Sequence, residues 1–218
     1  MGRCPARIVP VDPERPDMAI VSQAAGLIAA GGVVAYPTDT VYGLAADPYN
    51  EQAVEKIFAI KGRAAAKALT LILAGPEQLH ALVAEIPKAA EILTEAFWPG
   101  PLTIVFPLAP QLHLPALRGS RTVAVRVPAS ALCRSLAHLC GGPITATSAN
   151  LSGEPEPTHA AQVAAALGER LDLILDGGPS PLAVPSTLVD ATAHPPVVLR
   201  EGAIPAERIM AVLAEGRP

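Results

Sequence analysis

Gly142-Pro143-Ile144-Thr145-Ala146-Thr147-Ser148-Ala149-Asn150-Leu151-Ser152-Gly153 begins as a short apolar run and ends in a crowd of small hydroxyl and amide side chains. Residues 143 to 147 read as a buried strand. Thr147, Ser148, Asn150 and Ser152 follow within six residues, a dense supply of donors and acceptors. Asn and Ser also make ordinary turns, so the stretch alone leaves both readings open. Open α/β sheets bind ligands at such strand ends, which directs attention to what else the chain brings there.

Working outward, apolar periodicity alternates between helix and strand. Residues 17 to 30 read as a helix capped by Asp17 and stopped at Gly31-Gly32, and Val33 to Tyr36 as a strand ended by Pro37. Asn50 caps a second helix lined by Val54, Ile57 and Phe58 and closed by Gly62. A strand is expected over Leu69–Ala74, then helices over 76–85 and 87–97, strands over Pro101–Phe106 and Thr122–Val127, and a helix over 129–140. Thr158 caps a helix to about Leu167. Strands follow over Leu171–Leu175, Ser186–Val189 and Val197–Leu199, and a helix from Pro205 to Ala214 ends the pattern. The consecutive strands near 102–127 and 186–199 imply antiparallel pairs. The expected fold is therefore α/β of the mixed kind: one twisted, mixed parallel and antiparallel sheet covered by helices, in a single domain over 1–218 without internal repeat. The Gly/Pro-rich segment 177–185 suits a loop over a pocket.

Composition narrows the function. Of 218 residues 50% are hydrophobic and only 3% aromatic, so the core is aliphatic. The net charge of −4 argues against gripping a nucleic-acid backbone as the main activity, since such proteins carry a basic excess. No apolar run reaches the length of a membrane span, and the N-terminus has no signal-peptide core, so a cytoplasmic setting is expected. Cys4, Cys133 and Cys140 match neither a zinc site nor a disulfide framework, and the two later ones read as small hydrophobes on a helix.

The familiar chemical signatures do not occur: no P-loop, no dinucleotide fingerprint, no G-x-S-x-G elbow and no paired histidines at metal spacing. Cations stand out instead. Lys61, Arg63 and Lys67 cluster after the 50–60 helix, where they either offset the helix dipole or converge on an anion such as a phosphate chain. Strand alternation puts Thr122, Ala124 and Arg126 on one face, which either meets solvent or lines a cleft in which Arg126 clamps a carboxylate. Arg200 follows the apolar run Val197-Val198-Leu199, and Asp39 suits an Asx turn.

Together these segments resemble the YrdC/Sua5 family of threonylcarbamoyl-AMP synthases. Pro37-Thr38-Asp39-Thr40-Val41-Tyr42-Gly43-Leu44 resembles its first signature, and Lys61-x-Arg63 with Ser148-x-Asn150 its K-x-R and S-x-N set. Trp98-Pro99-Gly100-Pro101-Leu102-Thr103, Val123-Ala124-Val125-Arg126-x-Pro128, Ser186-Thr187-x-x-Asp190 and Leu199-Arg200-x-Gly202 follow in order, so the likeness runs over about residues 17–210. The chain departs from the pattern at Ala64, Ala68 and Pro185, and its length resembles that of the single-domain members.

The resemblance implies a YrdC-like fold and a nucleotidyltransferase that makes threonylcarbamoyl-AMP and pyrophosphate from L-threonine, bicarbonate and ATP. Mg²⁺ would come with the triphosphate, and no metal site of the protein's own is implied. The product would pass to threonylcarbamoyl transferase machinery for N6-threonylcarbamoylation of adenosine 37 in tRNA. By the same resemblance Thr40, Arg126, Ala146 and Ser186 face threonine, and Arg63, Lys67, Thr122, Ser148 and Arg200 face ATP. Lys61, Arg63, Ser148 and Asn150 would form the catalytic set around the phosphates and the carbamate. Two alternatives remain at this point: an RNA-binding module of the same fold with weak tRNA affinity, and a carbamoyl-adenylate-forming domain.

Overall fold

The structure is a computed structural model that describes residues 6–62 and 68–216. Its elements, in chain order, are β1 (Arg7–Pro10), α1 (Met18–Ala29), β2 (Val34–Tyr36), β3 (Gly43–Ala45), α2 (Glu51–Lys61), β4 (Leu71–Ile72) and α3 (Lys88–Phe97). Then come β5 (Leu102–Pro107), β6 (Thr122–Arg126), α4 (Ala131–Leu139), β7 (Ile144–Thr145), β8 (Thr147–Ser148), α5 (Ala160–Leu167), β9 (Leu173–Asp176), β10 (Thr187–Asp190), β11 (Val197–Arg200) and α6 (Ala206–Glu215).

The helix boundaries follow from their caps. Asp17 accepts from Ala19 N at 2.8 Å, and Asn50 accepts from Ala53 N at 3.1 Å. Gly62, at φ +57°, closes α2 in the left-handed region, where a side chain would be strained. The helix expected over 76–85 is instead a 3-10 segment, Pro76–Ala81. The stretch between Pro76 and Pro87 is too short to repay helix nucleation. The helix expected to be capped by Thr158 is instead capped one residue later, by His159, whose backbone N–H donates to Gln162 Oε1 at 3.2 Å, and runs Ala160–Leu167.

The mixed α/β class holds, and so do the antiparallel pairs β5–β6 and β10–β11. The strands, however, divide between two mixed sheets rather than forming one. Five run in the order β1-β9-β2-β3-β8 and six in the order β11-β10-β5-β6-β4-β7. The division falls inside the strand expected over 143–147. Ile144–Thr145 pairs antiparallel with Leu71–Ile72, whereas Thr147–Ser148 pairs antiparallel with Gly43–Leu44 in the other sheet. Ala146 is the crossing residue, and its N–H donates to Thr70 O at 2.8 Å.

Period-2 alternation buries strands of the smaller sheet on both faces. Val34, Tyr36, Leu173 and Leu175 pack with Val21, Ile28, Leu132 and Leu136 of α1 and α4. Val33, Ala35 and Ile174 face the larger core instead, with α2, α3, α5 and α6. Cys133 lies in the first of these clusters, fully buried, with its thiol donating to Pro37 O at 3.2 Å. Cys140 sits just past the end of α4 and is only half-buried. Among the described residues no helix is long and apolar enough to cross a membrane.

Candidate functional site

Where the two sheets meet, a cavity of about 680 Å³ opens. Thr38, Thr40 and Tyr42 reach it from the loop between β2 and β3. Lys61 comes from the end of α2, Ala124 and Arg126 from β6, and Thr147, Ser148 and Asn150 from β8 and its turn. Thr103, Ser186, Leu188 and Arg200 close it from β5, β10 and β11. Of the residues singled out in the sequence, Thr40, Lys61, Arg126, Ala146, Ser148, Asn150, Ser186 and Arg200 all line this one space. Thr122 does not. It sits on the same strand as Arg126, but its hydroxyl lies 3.2 Å from that of Ser120 and it is not among the lining residues. Arg63 and Lys67 lie outside the described residues.

Arg126 is 5% exposed, and each of its three nitrogens makes a hydrogen bond. Its Nη2 pairs with Asp39 Oδ1 at 2.5 Å, Nη1 donates to Thr40 Oγ1 at 2.7 Å, and Nε donates to Gly100 O at 2.9 Å. The Trp98–Thr103 motif thereby supplies two parts of the site, a carbonyl for Arg126 and the Thr103 side chain. Thr103 is buried, with its hydroxyl 2.8 Å from that of Ser186. Arg200 Nη2 donates to Ser186 O at 2.8 Å and to Ser186 Oγ at 3.3 Å, so the residues expected at the threonine and nucleotide sides adjoin. Gly202 permits this approach, since a Cβ there would lie 2.2 Å from Pro185 O.

The opposite wall is braced by Lys61. Its Nζ donates to Asn150 O and Asn150 Oδ1, both at 3.0 Å, and to Ser148 O at 2.5 Å. Ser148 Oγ donates to Asn150 Oδ1 at 2.7 Å, and Asn150 Nδ2 donates to Glu154 O at 2.6 Å. The Ser148–Asn150 turn is therefore rigid, with a buried cation behind it.

Tyr42 ties down the 177–185 segment. Its hydroxyl donates to Gly178 O at 2.7 Å and accepts from Gly177 N at 3.2 Å. Burial pushes its phenol up to about 12. Ser180 N donates to Thr158 O and Leu182 N to Asp39 O. Of the 177–185 segment only Pro185 lines the cavity. Sequence reasoning gave Thr38, Tyr42 and Thr103 no role, although all three stand inside the quoted motifs. Motif membership was the signal available.

The donor set is made of cations, hydroxyls and amides, which suits anionic ligands. Among the described residues no group of three His, Cys, Asp or Glu side chains stands ready to hold a metal.

Known proteins resemble this chain in sequence and fold. The model of the Sua5/YciO/YrdC family, described as telomere recombination, matches residues 26–202. A Pyrococcus abyssi threonylcarbamoyl-AMP synthase is 46% identical over 194 residues, covering 89% of this chain and 57% of the relative. A Bacillus subtilis protein of the same name is 43% identical, covering 88% and 56%. The crystal structure of P. abyssi Sua5 complexed with L-threonine superposes with a TM-score of 0.91 at 44% identity, covering 96% of this chain and 62% of that one. The chain thus spans somewhat less than two thirds of the length of these relatives.

Proposed function

The chain belongs to the Sua5/YciO/YrdC family, and on that premise we propose that it is an L-threonylcarbamoyladenylate synthase, a nucleotidyltransferase acting in the cytoplasm. Its substrates are L-threonine, bicarbonate and ATP. Its product serves the transferase machinery that modifies adenosine 37 of tRNA. Bicarbonate takes up a proton and loses water as carbon dioxide; the threonine amine adds to that carbon and gives up a proton, forming a carbamate; a carbamate oxygen then attacks the α-phosphorus, whose bond to the bridging oxygen breaks as pyrophosphate leaves.

Such a reaction asks a protein for positioning and charge neutralisation rather than covalent chemistry. The observation that carries the reading is the convergence of Thr40, Arg126, Ser186, Ser148, Asn150 and Arg200 on one cavity between two sheets. Thr40, Arg126, Ser186 and the backbone at Ala146 hold threonine. Ser148 and Arg200, with Arg63 and Lys67, hold the nucleotide, and Lys61 keeps the Ser148–Asn150 turn in place. A Mg²⁺ ion brought in with ATP would supply charge neutralisation for the pyrophosphate, beside that from Arg200, Arg63 and Lys67.

The deciding assay mixes the protein with ATP, threonine and bicarbonate. The expected result is pyrophosphate release together with a threonine-dependent adenylate. Salt-sensitive RNA binding with no ATP turnover would overturn the proposal in favour of an RNA-binding module.

A further inference from the structure

The loop between β2 and β3 contains a chain of hydroxyls whose proton direction is fixed by its far end. Thr38 Oγ1 lies 2.7 Å from Val41 O and 2.9 Å from Thr40 Oγ1. A carbonyl oxygen carries no proton, so the 2.7 Å contact places the single hydroxyl proton of Thr38 on the line to Val41 O. The reverse arrangement would press two lone-pair-bearing oxygens together with nothing between them.

The rest of Thr38's surroundings agree. Thr40 N and Val41 N, neighbours in the chain, both point at its oxygen, at 3.0 and 3.2 Å, as a three-centre contact on an acceptor whose own proton is turned away and whose other lone pair is left for Thr40 Oγ1. The proton between the two threonines must therefore belong to Thr40. Arg126 Nη1, which can only donate, points at Thr40 Oγ1 from 2.7 Å. The direction is thus set from end to end: Arg126 donates to Thr40, Thr40 to Thr38, and Thr38 to Val41 O. A cation at its head strengthens each following bond in the same direction.

We propose that Thr38 is a positioning residue that holds Thr40 as a pure hydrogen-bond acceptor toward the cavity. Thr40 is 2% exposed and its proton is committed to Thr38 Oγ1, so what it offers a ligand is a lone pair. The ligand group it recognises is then a donor. On an amino acid that is the amine or the β-hydroxyl, and not the carboxylate. The inference rests on the reading of this cavity as a threonine site.

Two experiments on the full chain test it. In neutron diffraction from deuterated crystals grown without amino acid, the deuteron of Thr40 is expected on the line to Thr38 Oγ1 and that of Thr38 on the line to Val41 O. A Thr40 deuteron pointing into the cavity overturns the proposal. In kinetics, Thr38→Val should raise the KM for threonine by about tenfold, the worth of one hydrogen bond, and leave the KM for ATP unchanged. Thr38→Ser keeps the hydroxyl and should restore the wild-type value. An equal rise in both KM values, or a serine variant no better than valine, shows a merely structural residue and overturns it. If the wild-type protein releases no pyrophosphate with threonine, the proposed function fails, and the neutron density still decides the proton direction.

Discussion

Asp39 and Arg126 form a buried ion pair, with side chains 11% and 6% exposed. Truncating Asp39 to alanine strands the guanidinium away from water. Removing one member of a buried pair costs about 3–5 kcal/mol, because the remaining charge is left uncompensated. Arg126 would keep its bonds to Thr40 Oγ1 and Gly100 O, so the lower end applies. About 3 kcal/mol corresponds to a melting temperature lowered by about 6–12 °C in a chain of this size. Asp39→Asn keeps an acceptor for Arg126 but loses the charge, and should fall between wild type and alanine. The decisive variant is the double replacement Asp39→Ala/Arg126→Met, which removes both charges and leaves an apolar stem in the pocket. Replacing a whole buried pair is often nearly neutral, so the double variant should be more stable than the sum of its parts by about 2 kcal/mol or more. Urea unfolding with an unchanged m value measures each corner of the cycle. Additive losses within about 0.5 kcal/mol would refute the argument, because the two side chains would then not compensate one another.

Spectrophotometric titration should find the tyrosines ionising above their ordinary value of 10.0, with Tyr42 near 12 and Tyr36 likewise well above 10.0, because burial penalises the phenolate. Since the folded values are raised, their contribution to stability is complete below pH 10 and is lost as pH rises toward about 12; a native titration centred at 10.0 would contradict the burial. Arg63→Ala should weaken ATP binding by about 1.5–3 kcal/mol, with threonine binding far less affected and Arg63→Lys rescuing only in part, as read by calorimetry. Equal concentrations of amino acid should give pyrophosphate release in the order threonine, serine, valine, because a site built to bond a hydroxyl rejects its absence more strongly than a missing methyl. Valine outperforming serine would show that the pocket reads shape alone.

The sequence made the long, capped elements readable because their signals are local. Asp17, Asn50 and Gly62 act on their own helices. It also identified Thr40, Arg126, Ser148, Asn150, Ser186 and Arg200, through motifs that the fold gathers onto one cavity. What it concealed is what depends on distant partners. Strand alternation put Arg126 on the same face as Ala124, but could not show that Asp39, 87 positions away, would meet its guanidinium. Nor could it separate Arg126 from Thr122, which shares the strand yet stops short of the cavity. β3 and β8 have three and two residues, too few for a period to register. The change of sheet at Ala146 leaves no mark in the apolar pattern, because residues on both sides of it are buried.

That change of sheet makes the cavity a seam. One end of the Ile144–Ser148 segment is stitched into the larger sheet and the other into the smaller. A ligand resting there touches side chains from both. It would act as a tie across the seam, since parting the sheets would also part its own contacts. Occupancy would then slow amide exchange on strands that contribute nothing to the cavity wall, β1 and β9 alike. At a hundredfold excess over its dissociation constant a single ligand would add about 2.7 kcal/mol against opening. Saturation with substrate would thus register as a rise in cooperativity of the whole fold, rather than as a local stiffening of one loop.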